Sequence, residues 1–274
     1  MDTTVLLRGG YLKMIVQKWL VKGAKTLMGV VYRPEEIRGA VLLLPGFGMH
    51  MCDVDYFMSK LARKLSASGM YTLLLDPYGH GDSYGELEEC TIASLKEDIM
   101  MGIEHCKTVS NNIYAISRGL IANLLVSAEK CVNIIGLSPM CVDKNLISDF
   151  VLPKENTEIY QYIPGKDYVG YTDFDKDKLC LMEMIGGRIR HIHGQFIHPD
   201  ILTYVLTCDH LQVLRQRGNA CWIFFEPSEE RLFRVYKSNE LEYRKLSVYY
   251  KTAIYRDAMC QYNVIDEIVN MTTA

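Results

Sequence analysis

The residues best suited to chemistry lie in the stretch 112–121, which reads Asn-Ile-Tyr-Ala-Ile-Ser-Arg-Gly-Leu-Ile. Ile113 to Ile116 form a strand-like apolar run, and Leu120, Ile121, Leu124 and Leu125 recur at helical spacing. Ser117 falls between them, with the small residues Ala115 two before and Gly119 two after. A serine on a sharp strand-to-helix turn holds its hydroxyl clear of the backbone. The first N–H groups of the helix then face any oxyanion that develops beside it. The chemistry implied is nucleophilic attack on an acyl carbon. An ordinary serine at a helix N-cap would read the same way.

Such a turn needs elements to hold it, and the flanking sequence supplies them. Ala40 to Leu44 is wholly apolar and runs into Pro45-Gly46-Phe47-Gly48. A helix is expected from about Asp53 to Ser68, with Val54, Phe57, Leu61 and Leu65 on one face and Gly69 as its stop. Tyr71 to Asp76 is a second buried strand, followed by Pro77-Tyr78-Gly79-His80-Gly81-Asp82-Ser83. A helix over Thr91–Lys107, the 113–116 strand, its helix, and a strand over Val132–Leu137 continue the alternation. Strand and helix in turn over 40–139 imply a parallel sheet covered on both faces. Ligands of such sheets bind beyond the carboxyl ends of the strands, where Gly46–Gly48, Tyr78–Ser83, Ser117 and Ser138 would all lie.

Before this unit, Tyr11–Trp19 and Leu27–Tyr32 read as antiparallel strands joined at Lys22–Lys25. After it the pattern breaks. Asp149 to Gly170 is polar, and Ile185–Gln195 is a short strand or a loop. A helix starts at His198-Pro199-Asp200, with Ile201, Tyr204, Val205, Leu211 and Leu214 as its apolar face. Ala220–Phe225 and Leu246–Lys251 are further strands, and Asp257–Met271 is a closing helix.

Composition narrows the class. The 274 residues are 49% hydrophobic and 23% charged, as in ordinary globular proteins. A net charge of −3 gives no reason to expect a nucleic-acid partner. No apolar run approaches a membrane span, and residues 1–10 lack the pattern of a signal peptide. The nine cysteines are scattered singly, which argues against a disulfide framework and a zinc site. A reduced, cytoplasmic protein is expected.

Three motifs together resemble the α/β-hydrolase superfamily. Ala-Ile-Ser-Arg-Gly is similar to the nucleophile elbow G-x-S-x-G, with Ala115 for the first glycine. Pro45-Gly46-Phe47-Gly48 looks like the oxyanion loop, where H-G-x-G is common, with Pro45 for the histidine. Asp76 to Ser83 resembles the D-x-x-G-x-G-x-S turn of the same superfamily. The three stand in the family's order at the family's intervals. The absence of a G-x-G-x-x-G after a strand makes a dinucleotide fold the poorer match.

The resemblance implies one α/β-hydrolase-like domain over 1–274, a mostly parallel sheet flanked by helices, with a lid or cap insertion over about 140–216. It implies Ser117 as nucleophile and backbone N–H groups of Arg118 and of the Phe47–Gly48 loop as oxyanion donors. The acid would follow the strand ending at Phe225, where Glu229 fits best and Glu226 next. The family's histidine comes after the last strand, and this chain has none after His210. Tyr255, Arg256 and Asp257 occupy that region instead. Two expectations follow. In the first, His80 or His50 substitutes as base, and the protein acts on an ester or thioester as an esterase, thioesterase or acyltransferase. Its substrate would then be a small acyl compound, free or carrier-bound. In the second, the chain is a pseudo-hydrolase that binds a ligand or partner, or runs a non-hydrolytic reaction on the same scaffold. Neither expectation includes a cofactor. The His191, His193 and His198 group lacks the acidic ligands that would suggest a metal.

Overall fold

The computed structural model describes residues 4–5, 14–52, 56–140, 191–192, 195–224, 243–245 and 258–273. Among the described residues the chain enters a sheet of nine strands through a short edge strand, β1 (Thr4–Val5), and a long hairpin of β2 (Met14–Lys22) and β3 (Lys25–Arg33). Lys22 pairs with Lys25 across a two-residue turn, the turn expected from Lys22-Gly23-Ala24-Lys25. β3 then runs antiparallel to β5 (Met70–Leu75), with Gly29 opposite Leu75.

The remaining strands are parallel. β4 (Gly39–Leu43), β6 (Ile113–Arg118), β7 (Val132–Leu137), β10 (Ala220–Phe224) and β11 (Tyr243–Lys245) follow β5 in the spatial order β5-β4-β6-β7-β10-β11. The antiparallel pair β8 (His191–Ile192) and β9 (Gln195–Phe196) stands apart from this sheet.

β4 shows why the strands read as unbroken apolar runs. Ala40, Leu42 and Leu44 face one core, while Val41 and Leu43 face the other. The first core is closed by α2 (Ile92–Lys107), α3 (Gly119–Leu124), α4 (Pro199–Thr207) and α5 (His210–Arg215). The second is closed by α1 (Phe57–Ala67) and α6 (Ala258–Thr273), joined by a 2.7 Å bond from Lys60 Nζ to Gln261 Oε1.

Three boundaries differ from expectation. α1 begins at Phe57 rather than Asp53, with Tyr56 in a left-handed conformation before it. The helix expected from His198 through Leu214 is two helices. Cys208 takes an extended conformation, and Asp209 caps a new start by accepting from Gln212 N–H at 3.0 Å. The last described strand is Tyr243–Lys245, and the expected Leu246–Lys251 strand lies outside the described residues. Of the 140–216 excursion, 141–190 also lies outside them. Ile201, Val205 and Leu214 from its later part are wholly buried in the first core.

Candidate active site

The strand-to-helix turn falls two residues later than the sequence motif suggests. β6 continues through Ser117 and Arg118, which pair with Gly136 and Leu137 of β7. The residue at the apex is Gly119, the first of α3, with φ +56°. A side chain is strained at such a φ, and a Cβ placed on Gly119 would meet nothing within 4 Å among the described residues. The apex carries no hydroxyl. Ser117 is a strand residue at 0% exposure, its Oγ donating to Pro45 O at 3.3 Å. The backbone N–H that follows the apex is that of Leu120.

Arg118 is buried, and its side chain runs beside Gly46, where a Cβ would sit 2.9 Å from Nε. That close approach requires a glycine at the start of the loop and locks the loop to the elbow strand.

The loop Gly46–Cys52 is bolted to the turn Tyr78–Ser83. Gly48 N–H donates to His80 Nε2 at 3.0 Å, which makes that nitrogen an acceptor. Nδ1 then carries the proton and donates to Tyr78 O at 2.9 Å. The Phe47 ring meets the imidazole edge-on at 5.4 Å. With both nitrogens engaged and the ring 3% exposed, burial pulls the His80 pKa down to about 4. His80 is thus a neutral bolt between loop and turn, with no nitrogen left for a second partner. His50 is exposed, and its Nδ1 accepts from Cys52 N–H at 3.3 Å.

Asp76 closes the turn from below. Asp82 N–H donates to its Oδ2 at 3.2 Å, and Met51 N–H of the loop is aimed at the same carboxylate. Ser83 Oγ bridges Asp76 O at 2.7 Å and Met28 N–H at 2.8 Å. The side chain is 1% exposed, and burial raises its pKa to about 7 against those hydrogen bonds. Gly81, at φ +53°, is needed here because a Cβ would fall 2.0 Å from Oδ2.

Of the expected site residues, Phe47, Gly48, His80, Ser117 and Arg118 lie at the same carboxyl edge of the sheet. Glu226, Glu229 and Asp257 lie outside the described residues. Three contributors had no role in the sequence reading. Gly119 was only a small flank there, Asp76 only a motif letter, and Asn123 was not singled out. Asn123 accepts from Met140 N–H at 2.8 Å and donates to Met140 O at 2.7 Å, fixing the chain where it leaves β7. Only Gly119 left a signal, since a positive φ at a turn favours glycine over serine. Among the described residues no group of His, Cys, Asp and Glu could hold a metal.

This sheet order and its carboxyl-edge site are those of the α/β-hydrolase fold, and solved structures bear this out. Est1E from Butyrivibrio proteoclasticus with ferulic acid bound superposes with a TM-score of 0.63 at 12% identity. That match covers 93% of this chain and 96% of that one. The α/β hydrolase GrgF from Penicillium sp. sh18 gives 0.58 at 15% identity over 100% and 98%. The thioesterase domain from the curacin biosynthetic pathway gives 0.53 at 11% identity over 95% and 99%. No protein-family model matches the sequence, and no curated protein matches it. The chain has the α/β-hydrolase fold, and no described helix is long and apolar enough to cross a membrane.

Proposed function

We propose that this protein is a ligand-binding α/β-hydrolase-like protein that does not form an acyl-enzyme. The observation that carries the reading is Gly119 at the elbow apex, at φ +56° and without a side chain. Covalent acyl transfer needs a nucleophile at that point. Two features agree with this. No histidine follows His210, and His80 spends both ring nitrogens on backbone partners. The loop and elbow that would frame a carbonyl compound are kept. The ligand is therefore proposed to be a small acyl compound, free or carrier-bound, held intact. A cytoplasmic location belongs to the same proposal, supported by nine unclustered cysteines.

A second reading, ester or thioester hydrolysis, is favoured by the names of the neighbours, which include an esterase from Pyrococcus furiosus and a thioesterase domain. It would need Ser117 as nucleophile, His80 or His50 as base, Glu229 or Glu226 as acid, and Phe47, Gly48, Arg118 and Asp257 around the substrate. One experiment separates the two. A fluorophosphonate probe is read by intact mass on wild type and Ser117→Ala, with folding checked by circular dichroism. Binding without acyl chemistry predicts no adduct on either protein. An adduct on wild type that disappears in Ser117→Ala would establish the hydrolase instead.

A further inference from the structure

The elbow apex is tied into the chain by its own carbonyl. Met140 N–H donates to Gly119 O at 3.3 Å and, more closely, to Asn123 Oδ1 at 2.8 Å. Gly119 C=O and Leu120 N–H belong to one planar trans peptide and point in opposite directions. A contact that fixes the carbonyl therefore fixes the direction of the N–H that follows the apex.

Met140 also sets the orientation of the Asn123 amide. Oδ1 accepts from Met140 N–H, so the other end is the NH2 group, which donates to Met140 O at 2.7 Å. That NH2 group lies 3.2 Å from His210 Nδ1. Two groups that meet there cannot both donate, so Nδ1 is the acceptor and the proton of a neutral imidazole sits on Nε2. Nε2–H then donates to Val205 O at 2.9 Å. Val205 stands in the last turn of α4, where carbonyls find no partner within the helix. The Tyr204 ring meets the imidazole edge-on at 5.9 Å, and His210 and Asn123 are both buried. In such an enclosure the loss of one partner leaves the other unsatisfied, so each link holds the next.

We propose that His210 is a positioning residue for the elbow: through Asn123 and Met140 it holds the Gly119–Leu120 peptide in its orientation at the apex. The relay runs from Val205 O through His210, Asn123 and Met140 N–H to Gly119 O, and so links α4 and α5 to the site. It rests on the reading of the elbow as the ligand site, and it holds whether or not acyl chemistry occurs there. The same segment has a second hold on the fold. Asp200 Oδ2 accepts from Ile92 N–H at 2.8 Å at the start of α2. The two contacts share no residue, so the second serves as a control for loosening of the segment as a whole.

The test is amide hydrogen exchange followed by NMR, with each rate taken relative to Leu42 in β4 so that a change in global stability drops out. His210→Phe keeps a ring against Tyr204 and removes the acceptor. The Met140 amide should then exchange about tenfold faster, and the Leu120 amide resonance should move. His210→Asn puts an amide oxygen near the place of Nδ1 and gives up the reach to Val205. It should hold the Met140 rate within about threefold of wild type and return Leu120 towards its wild-type position. Asp200→Ala should speed exchange of the Ile92 amide and leave Met140 within the same about threefold. A histidine that only packs the segment would leave Met140 unchanged in His210→Phe, or would give the same rise in Asp200→Ala. Either result, no rescue by His210→Asn, or an unmoved Leu120 would overturn the proposal. Should His210→Phe fail to fold, ring nitrogen NMR of wild type decides. A neutral, Nε2-protonated His210 is expected, and a charged or Nδ1-protonated ring refutes the relay. None of these readouts depends on the fluorophosphonate result, so the relay and the functional reading fail separately.

Discussion

Lys25→Met tests the reasoning about buried charge most directly, because Lys25 holds the turn that carries His80. The ammonium, at the hairpin tip, donates to Asp98 Oδ1 at 2.9 Å and to Ser94 O at 3.0 Å, and pairs with Glu97 at 2.9 Å. Asp98 Oδ2 in turn accepts from Tyr78 N–H at 2.9 Å. The Asp98 side chain is at 0% exposure and that of Glu97 at 67%, so the two carboxylates are not equal partners. The Glu97 contact is worth at most about 1 kcal/mol. Loss of the Asp98 contact leaves a buried carboxylate with one N–H donor, a change that costs about 3–5 kcal/mol when fully enclosed. Lys25 itself is 21% exposed, which places the expectation near 3 kcal/mol at pH 7.5. The methionine keeps most of the aliphatic stem, so lost packing contributes little.

The sign of the pH dependence follows from Asp98. Burial already raises its pKa above 3.8, and the Lys25 bond and Tyr78 N–H hold it back. Without Lys25 the folded-state value climbs further. The native state then binds a proton that the unfolded state has released, and stability falls as pH rises through that window. Protonation also caps the penalty, at about 5 kcal/mol at pH 7.5 and about 1 kcal/mol at pH 4.5. Urea unfolding of wild type and Lys25→Met at both pH values gives the two differences. The double variant Lys25→Met/Asp98→Asn keeps an acceptor for Tyr78 N–H without the charge and should recover most of the loss at pH 7.5. A loss below about 1 kcal/mol at pH 7.5, or equal losses at the two pH values, would refute the assignment of Lys25 as the counter-ion of Asp98.

Two further substitutions probe the site's supports. Gly81→Ala drives a Cβ to 2.0 Å from Asp76 Oδ2 at φ +53°, whereas Gly23→Ala has a similar φ of +61° and nothing within 4 Å. Thermal or urea unfolding should show a loss of about 1 kcal/mol at Gly23 and more than about 3 kcal/mol at Gly81, and equal losses would mean that the turn, not the carboxylate, sets the cost. Asn123→Ala takes the Asn123 amide from the Met140 C=O and leaves the Met140 N–H only its 3.3 Å bond to Gly119 O, and should lower stability by about 1–3 kcal/mol while speeding exchange of the Met140 amide.

Much of the framework was legible because the core strands carry one unambiguous signal. A run such as Ala40 to Leu44 has no polar position, so only a strand covered on both faces suits it. Val132–Leu137, apolar but for Asn133 and Gly136, was also bounded to the residue. The helices at 199–215 were less legible. Leu211 falls seven residues after Tyr204 and Leu214 three after Leu211, both helical spacings, so periodicity does not register the break at Cys208. The capping role of Asp209 decides that break, and a lone aspartate in a polar segment is a weak sign. The pairing of loop and turn was not legible at all. That His80 accepts from Gly48, thirty-two residues away, depends on how β4 and β5 lie side by side.

The elbow shows how a motif match and a fold match can disagree. As a string, Ala115-Ile116-Ser117-Arg118-Gly119 has the right residues at the right spacing. In the sheet, β6 must stay paired with β7 along its six residues, and Gly136 and Leu137 hold Ser117 and Arg118 in the ladder. The bend cannot form until that pairing ends, so the apex falls on the next residue. Glycine there takes a positive φ without the penalty that a nucleophile's side chain must accept. The same two-residue displacement turns Ser117 inward, onto Pro45 O, and gives it a structural bond in place of an exposed hydroxyl. In the proposed reading, a scaffold that retains its loop, its turn and its bend, but places glycine at the apex, keeps the shape of a carbonyl site without the atom that would attack one. That is why the fold and the proposed loss of acyl chemistry are compatible.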